Sequence, residues 1–390
     1  MNHQAALLER TASRSAVGVQ PCEPAPTPEA APAYLGLDLI RFWAAGLVVL
    51  YHLCFYPWTY DSAQPALEFR RELAPLAAFT SAGWVGVPIF FVLSGVVIAA
   101  SATGRGWIDF VRRRALRLYP AAWICASVTA LVCLVAGEPH LLLRYFKSMA
   151  LSPTGPWMDE VFWTLGVEIV FYAYVAAILA SFGSDRLERA GIALGAAGAL
   201  YVSAVLADAA AGGGWRAELA WLGEGNGRLL LLSNGCYFGL GMVLWAIVSG
   251  GATRARLAAA AIFAAAGLLA IGRPAEGALW LGTVAAIAAS LRFHGPIRDR
   301  LGRWSGQIRA IGLATFPLYL LHNEIGRAAM RAMRDLGAWA ALGIALALVL
   351  ALSFAVTIFL EPRVRAALSR GLPVDPAPSE GQSLRFAVTK

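Results

Sequence analysis

The sequence predicts an all-α, polytopic membrane protein: a bundle of about ten transmembrane helices with both termini in the cytoplasm. Three observations carry this expectation. Of 390 residues, 58% are hydrophobic and only 14% are charged, against about a quarter charged in soluble domains, and the mean hydropathy is +0.61. Apolar runs of span length, about 17 to 25 residues, recur near 35–56, 82–102, 117–136, 161–181, 190–208, 229–249, 255–272, 275–292, 308–325 and 335–360. Lys and Arg are also unevenly placed. With the N-terminus inside, 21 of the 32 fall on the cytoplasmic side, 10 fall on the other side, and Arg41 lies within the first run. That bias follows the positive-inside rule, and an odd number of spans would scramble it.

The elements follow in chain order. Residues 1–33 hold Pro21, Pro24, Pro26, Pro28 and Pro32 among Ala and Glu and no apolar h-region, so they read as a flexible cytoplasmic arm rather than a signal peptide. The first span carries Arg41 and His52. An ionisable group in hydrocarbon costs roughly 2.5 to 3.5 kcal/mol on insertion scales, which makes it a functional-site candidate by default. Eleven residues of helix separate the two by about 16 Å along the axis, with Arg41 in the cytoplasmic half.

The second span contains Gly86, Pro88, Ser94 and Gly95 within Gly83-Trp-Val-Gly-Val-Pro-Ile-Phe-Phe-Val-Leu-Ser-Gly95. Small residues there let helices approach or leave room for a narrow ligand. The third opens with Arg112-Arg-Arg-Ala-Leu-Arg-Leu-Tyr-Pro120. Its guanidiniums suit topological anchoring, yet Arg is also the preferred bidentate phosphate ligand. The fourth span follows Trp157 and runs Phe162-Trp163-Thr-Leu-Gly-Val-Glu168-Ile-Val-Phe-Tyr172, so it buries a carboxylate that few structural roles justify in lipid. The runs between 190 and 292 are assigned on length and apolarity. In the ninth, Thr315-Phe-Pro-Leu-Tyr-Leu-Leu-His322-Asn-Glu324 brings a second imidazole, for which a plain interfacial His is the competing account. The chain from 34 to 362 forms one integral domain, and 363–390 is a cytoplasmic tail. No soluble catalytic appendage is expected.

Topology makes the clusters converge. His52, Glu168 and His322 fall in the outer third of the membrane, and Arg113, Arg114 and Arg117 on the inner rim. A phosphate-rich donor from the cytoplasm and an acceptor from outside would meet within the bundle. The net charge of +8 is mainly a topology signal, so nucleic acid is not an expected partner. Cys22, Cys54, Cys125, Cys133 and Cys236 show no metal spacing and read as free thiols. The five histidines, His3, His52, His140, His294 and His322, are scattered, and no metal set is expected.

Taken in order, Arg41-x10-His52, the Phe-Phe-Val-Leu-Ser94-Gly run, Arg113-Arg114-x-x-Arg117-Leu-Tyr-Pro, Trp163-Thr-Leu-x-x-Glu168-x-x-Phe-Tyr172 and Tyr-Leu-Leu-His322 resemble the successive signatures of the acyltransferase family 3 membrane proteins. The resemblance spans about residues 34 to 362. It implies a ten-helix bacterial inner-membrane enzyme that moves an acyl group, commonly acetyl from acetyl-CoA, to a hydroxyl of a sugar, polysaccharide or related small molecule, with acyl-CoA as co-substrate and no permanently bound cofactor. Two departures are visible: Thr164 stands where Ser is commoner, and no C-terminal SGNH-type domain follows, which removes a two-step periplasmic relay as an expected mechanism.

On this resemblance His52 is the expected general base and Glu168 the group that orients or charge-stabilises it. Arg113, Arg114 and Arg117 are expected to hold the CoA phosphates, with Arg41 further along the channel and Ser94, Trp163, Tyr172 and His322 in support. An acyl-His52 or acyl-Ser94 intermediate stays open. So do two other classes: a proton-coupled secondary transporter using the same ionisable groups, and a non-catalytic membrane sensor or assembly factor in which they are structural pairs.

Overall fold

The computed structural model describes residues 34–60 and 64–371. The expected arm at 1–33 and the tail beyond 371 lie outside the described residues. All regular structure among the described residues is helical. The long helices are α1 (Leu35–Cys54), α2 (Gly86–Ala102), α3 (Trp107–Val135), α4 (Trp163–Phe182), α5 (Leu187–Ala210), α6 (Gly235–Gly250), α7 (Arg254–Ile271), α8 (Pro274–Arg292), α9 (Ser305–Ala332) and α10 (Ala338–Ala355), followed by α11 (Glu361–Gly371). Among the described residues, nine helical stretches are long and apolar enough to cross a membrane. The long helix outside that set is α9, the expected ninth span, because its second half carries His322, Asn323, Glu324 and Arg327. Leu131, Leu200, Ile262, Leu269, Ile344 and Phe359 are exposed on the outside of the bundle, where hydrocarbon rather than water suits them.

Helix ends differ from the apolar runs where charged residues pair along a helix. The third run begins at 117, yet α3 starts at Trp107, since Asp109 sits four residues from both Arg105 and Arg113 and bonds to each, at 3.1 and 2.8 Å. Such spacing stabilises a helix through its polar turns. Pro120 and Pro317 lie inside α3 and α9, which neighbouring helices make tolerable. The first residues assigned to the tail are helical as α11, and the Glu361 carboxylate reaches back to Arg117 at 3.4 Å. The segment between the first two apolar runs holds short helices at Tyr56–Tyr60, Gln64–Glu72 and Ala74–Thr80.

Close backbone approach sets the packing. On α2, a Cβ at Gly95 would sit 2.3 Å from the Phe238 carbonyl oxygen, and one at Gly241 of α6 would sit 2.1 Å from that of Val92. Gly95 is therefore a packing residue, as small residues at membrane helix crossings usually are. Its neighbour Ser94 turns the other way, into a cavity. α1, α2, α3, α4 and α9 line that cavity.

Candidate active site

The interior holds two cavities that share Val87, Phe91 and Tyr319 as walls. One, of about 590 Å³, is lined by His52, Tyr51, Tyr56, Trp84, Glu160 and Trp163, among others. The other, of about 140 Å³, is lined by Arg41, Arg114, Arg117, Ser94, Glu168 and Tyr172, among others. α1 thus supplies Arg41 to the smaller cavity and Tyr51 and His52 to the larger, as their separation along one helix requires.

His52 lines the larger cavity, and a second imidazole, that of the fully buried His322, meets it from behind. His322 Nε2 lies 3.1 Å from His52 Nδ1. His322 Nδ1 lies 2.8 Å from the Tyr319 carbonyl oxygen, and His52 Nδ1 lies 3.0 Å from that of Val48. A carbonyl can only accept, so both Nδ1 atoms carry hydrogen. The one His52 Nδ1–H is then shared between the Val48 carbonyl and His322 Nε2, both acceptors, and His52 Nε2 keeps its lone pair. The tautomers follow from the carbonyls, and the outcome is a base with a partner positioned behind it. The Tyr51 ring stands edge-on to His52 at 5.1 Å, and Tyr56 at 5.8 Å.

Glu168 lies elsewhere. Its Oε1 accepts from Ser94 Oγ at 2.9 Å and from the Tyr172 hydroxyl at 2.5 Å, in the smaller cavity. The expectation that Glu168 orients His52 is corrected by this geometry: His322 is the group behind His52. Five residues of helix, about 7 to 8 Å, take Glu168 past Trp163 and out of the larger cavity. Trp163 itself lines that cavity, with the Arg228 guanidinium 4.9 Å from its ring centre.

The arginines divide as well. Arg41 pairs with Asp38 at 2.9 Å. Arg117 pairs with Glu361 and lies 5.6 Å over the Phe316 ring. Arg114 lies over Phe110, its Nε–H is buried with no acceptor, and the residue lines the smaller cavity. Arg113 is bonded to Asp109 and is not among the residues lining either cavity. In this it differs from Arg114 and Arg117, which line the smaller cavity.

Four acidic residues were missed from sequence: Asp38, Asp109, Glu361 and Asp159. The first two lay three and four residues from the arginines they pair with, a readable helical signal. Glu361 and Asp159 also bond locally, to Arg365 and to Val161 N, but the partners that bring them to the site, Arg117 for one and Asn323 and Glu324 for the other, are remote in sequence. Asp159 is fully buried and accepts from Asn323 Nδ2 at 2.8 Å, Glu324 N at 2.9 Å and Val161 N at 3.1 Å. It ties the start of α4 to the residues just after His322. Burial pushes its carboxyl above the usual carboxylate range, against three donors that favour the anion.

A family model described as an acyltransferase domain, Acyl_transf_3, matches residues 34–360. The chain belongs to this acyltransferase family. Every residue of both cavities falls within the matched stretch, and with its long apolar helices this member of the family is a multi-pass inner-membrane protein. Among curated proteins, the Exopolysaccharide production protein ExoZ of Rhizobium meliloti (strain 1021) is 31% identical over 109 residues, which cover 25% of this chain and 34% of ExoZ. The chain thus spans about a third of the length of that relative. No solved structure matches.

Proposed function

We propose that this acyltransferase moves an acyl group from cytoplasmic acyl-CoA to a hydroxyl of a sugar or polysaccharide, with ten spans, both termini inside, and the arginine cavity opening to the cytoplasm. The observation that carries this is His52 on the wall of one cavity, backed by the buried His322, with three arginines lining a second cavity that shares Val87, Phe91 and Tyr319 with it. Arg41, Arg114 and Arg117 are the groups to hold phosphate oxygens, by charge-assisted bonds that Lys would make less well. The larger cavity has the size of an ordinary ligand site and aromatic walls that suit a sugar ring. The relative named for exopolysaccharide production favours a polysaccharide acceptor.

The step is a direct transfer. The acceptor hydroxyl gives its proton to His52 Nε2 as its oxygen attacks the thioester carbonyl carbon; the C–S bond breaks, and the CoA thiolate takes the proton back from the imidazolium. His322 Nε2 accepts from His52 Nδ1–H throughout and stabilises the cation. Such a base contributes on the order of 10²- to 10⁴-fold. Glu168 gathers the Ser94 and Tyr172 hydroxyls beside the donor. The Ser94–Glu168 bond of 2.9 Å favours a second reading, in which Ser94 carries the acyl group transiently. An acid-stable acyl-protein that forms from labelled acyl-CoA without acceptor, and is absent in Ser94→Ala, would establish it.

The test is transfer of labelled acetyl- or longer acyl-CoA into envelope glycans by membranes holding wild type or His52→Gln at equal abundance. Incorporation by wild type alone supports the assignment. Equal incorporation by both removes His52 as base, and none by either with any donor removes the acyltransfer reading.

A further inference from the structure

Tyr319 and Thr164 form the wall between the cavities. Tyr319 is one of three residues lining both, and it is 7% exposed. Its hydroxyl, on α9, lies 3.1 Å from Thr164 Oγ1 on α4, and Thr164 donates to the Val161 carbonyl at 2.8 Å. The Phe90 ring stands edge-on to Tyr319 at 5.6 Å, and the His322 ring lies 5.7 Å away. Tyr319 also offers its backbone carbonyl to His322 Nδ1. One residue therefore closes the passage with its side chain and fixes the imidazole relay with its backbone.

We propose that the Tyr319–Thr164 contact is a gate that admits the acyl end of the donor, selects its length and keeps water off the thioester. The proposal rests on the acyl-CoA reading above. The donor-holding arginines and His52 lie on opposite sides of this wall, yet reaction requires the thioester carbon within about 3 to 3.5 Å of the acceptor oxygen. The acyl group must therefore come past the Tyr319 ring. A two-carbon group needs only a modest displacement of one ring. A longer chain needs volume that Tyr319, Phe91 and Val87 already fill, and packed interiors yield such volume poorly. The threonine methyl at 164 adds to that filling where the resembling family more often has Ser.

The same wall separates the thioester from water in the larger cavity, and exclusion of water prevents hydrolysis of a reactive group. In that side reaction a water oxygen bonds to the acyl carbon and the C–S bond breaks; one water proton passes to the thiolate, leaving free CoA and a carboxylic acid.

The experiment uses membranes holding the full chain as wild type, Tyr319→Ala, Tyr319→Leu, Tyr319→Phe or Thr164→Ser at measured abundance. Each is given acetyl-, butyryl- and hexanoyl-CoA, with and without glycan acceptor. Free thiol release without acceptor reads hydrolysis, and labelled product reads transfer. Tyr319→Ala is expected to raise hydrolysis per molecule several-fold and to shift the hexanoyl-to-acetyl transfer ratio upward by roughly 10-fold or more, the scale on which pockets discriminate methylenes. Tyr319→Phe, which keeps the ring, should retain the length preference, and Thr164→Ser should relax it slightly. Should Tyr319→Ala fail to accumulate, Tyr319→Leu carries the same expectation. Wild-type transfer combined with an unchanged length ratio and no added hydrolysis in the Ala or Leu variant overturns the gate. A wild type that transfers from none of these donors overturns the acyl-CoA reading instead, and the gate with it.

Discussion

On one side of Tyr319, the imidazoles of His52 and His322 are held by two backbone carbonyls and by each other. On the other side, Arg41 and Arg117 are held by the carboxylates of Asp38 and Glu361. Neutral partners leave an imidazole with a lone pair available, which a base needs. Carboxylate partners hold guanidiniums charged and aimed, which an anion site needs. Had a carboxylate backed His52, its proton affinity would rise with the added charge. Had carbonyls alone backed the arginines, three cations would face one another with less compensation. The difference in polarity thus matches two different tasks, proton transfer and anion binding, and it makes substitutions on the two sides separable by kinetics.

The largest expected effects lie on the imidazole side. His52→Gln should lower kcat for transfer by about 10²- to 10⁴-fold while leaving KM for the acyl-CoA nearly unchanged, since its loss is confined to the transition state. His322→Gln should lower kcat less, by roughly 10- to 100-fold, because the base survives but its tautomer and orientation are no longer imposed. Labelled-transfer kinetics in membranes check both. A rise in donor KM as large as the fall in kcat would merge the two sides.

Next comes the arginine side. Arg114→Ala should raise KM for acyl-CoA by roughly 10- to 100-fold, the worth of one charge-assisted hydrogen bond of about 1.5 to 3 kcal/mol, with kcat little altered. Arg114→Lys should restore only part of this, since an ammonium cannot reproduce the guanidinium fork. Donor-titration curves with acceptor held saturating give the answer.

Among the described residues, nine apolar helical stretches were legible because a run of that length has few other uses, whereas α9, with its polar second half, falls outside that set. The chemistry-bearing residues were legible as exceptions within those runs: Arg41, His52, Glu168 and His322 stood out by charge alone. Their partnerships were not. Which way a side chain turns depends on the rotation of its helix, and nothing in the apolar stripe of a nearly all-apolar helix fixes that rotation. Grouping Glu168 with His52 by depth failed because Glu168 lies five residues beyond Trp163, far enough to change cavities. The bond between His52 and His322 joins residues 270 apart, and that between Arg117 and Glu361 joins residues 244 apart. No local spacing encodes either.

A substitution outside both cavities separates packing from chemistry. Gly239 of α6 faces α5, where a Cβ would lie 2.5 Å from the Gly195 Cα and 2.8 Å from the Gly191 oxygen. Gly239→Ala should destabilise this crossing by about 1 to 3 kcal/mol through overpacking. Thermal stability in detergent and abundance in membranes should fall, while kcat and KM per folded molecule stay near wild type. A specific kinetic defect there would mean that this crossing sets the positions of the α5 and α6 residues that line the larger cavity, and the division at Tyr319 would not describe the whole site.

The smallest expected effect is the sharpest test of where the anion site ends. Arg113 and Arg114 are adjacent in sequence but about 100° apart around α3, whereas Arg114 and Arg117, three apart, share a face. Arg114 and Arg117 line the smaller cavity, and Arg113 bonds to Asp109 on its own helix at 2.8 Å. A partly exposed pair of this kind is worth about 0 to 1 kcal/mol. Arg113→Ala should therefore shift donor KM by no more than about 2- to 3-fold, as should Asp109→Ala, which removes the same pair from its other end. If Arg113→Ala weakened the donor as much as Arg114→Ala, phosphate groups would have to reach around α3 beyond the cavity. The cationic side would then be a rim of positive charge rather than a wall with one face.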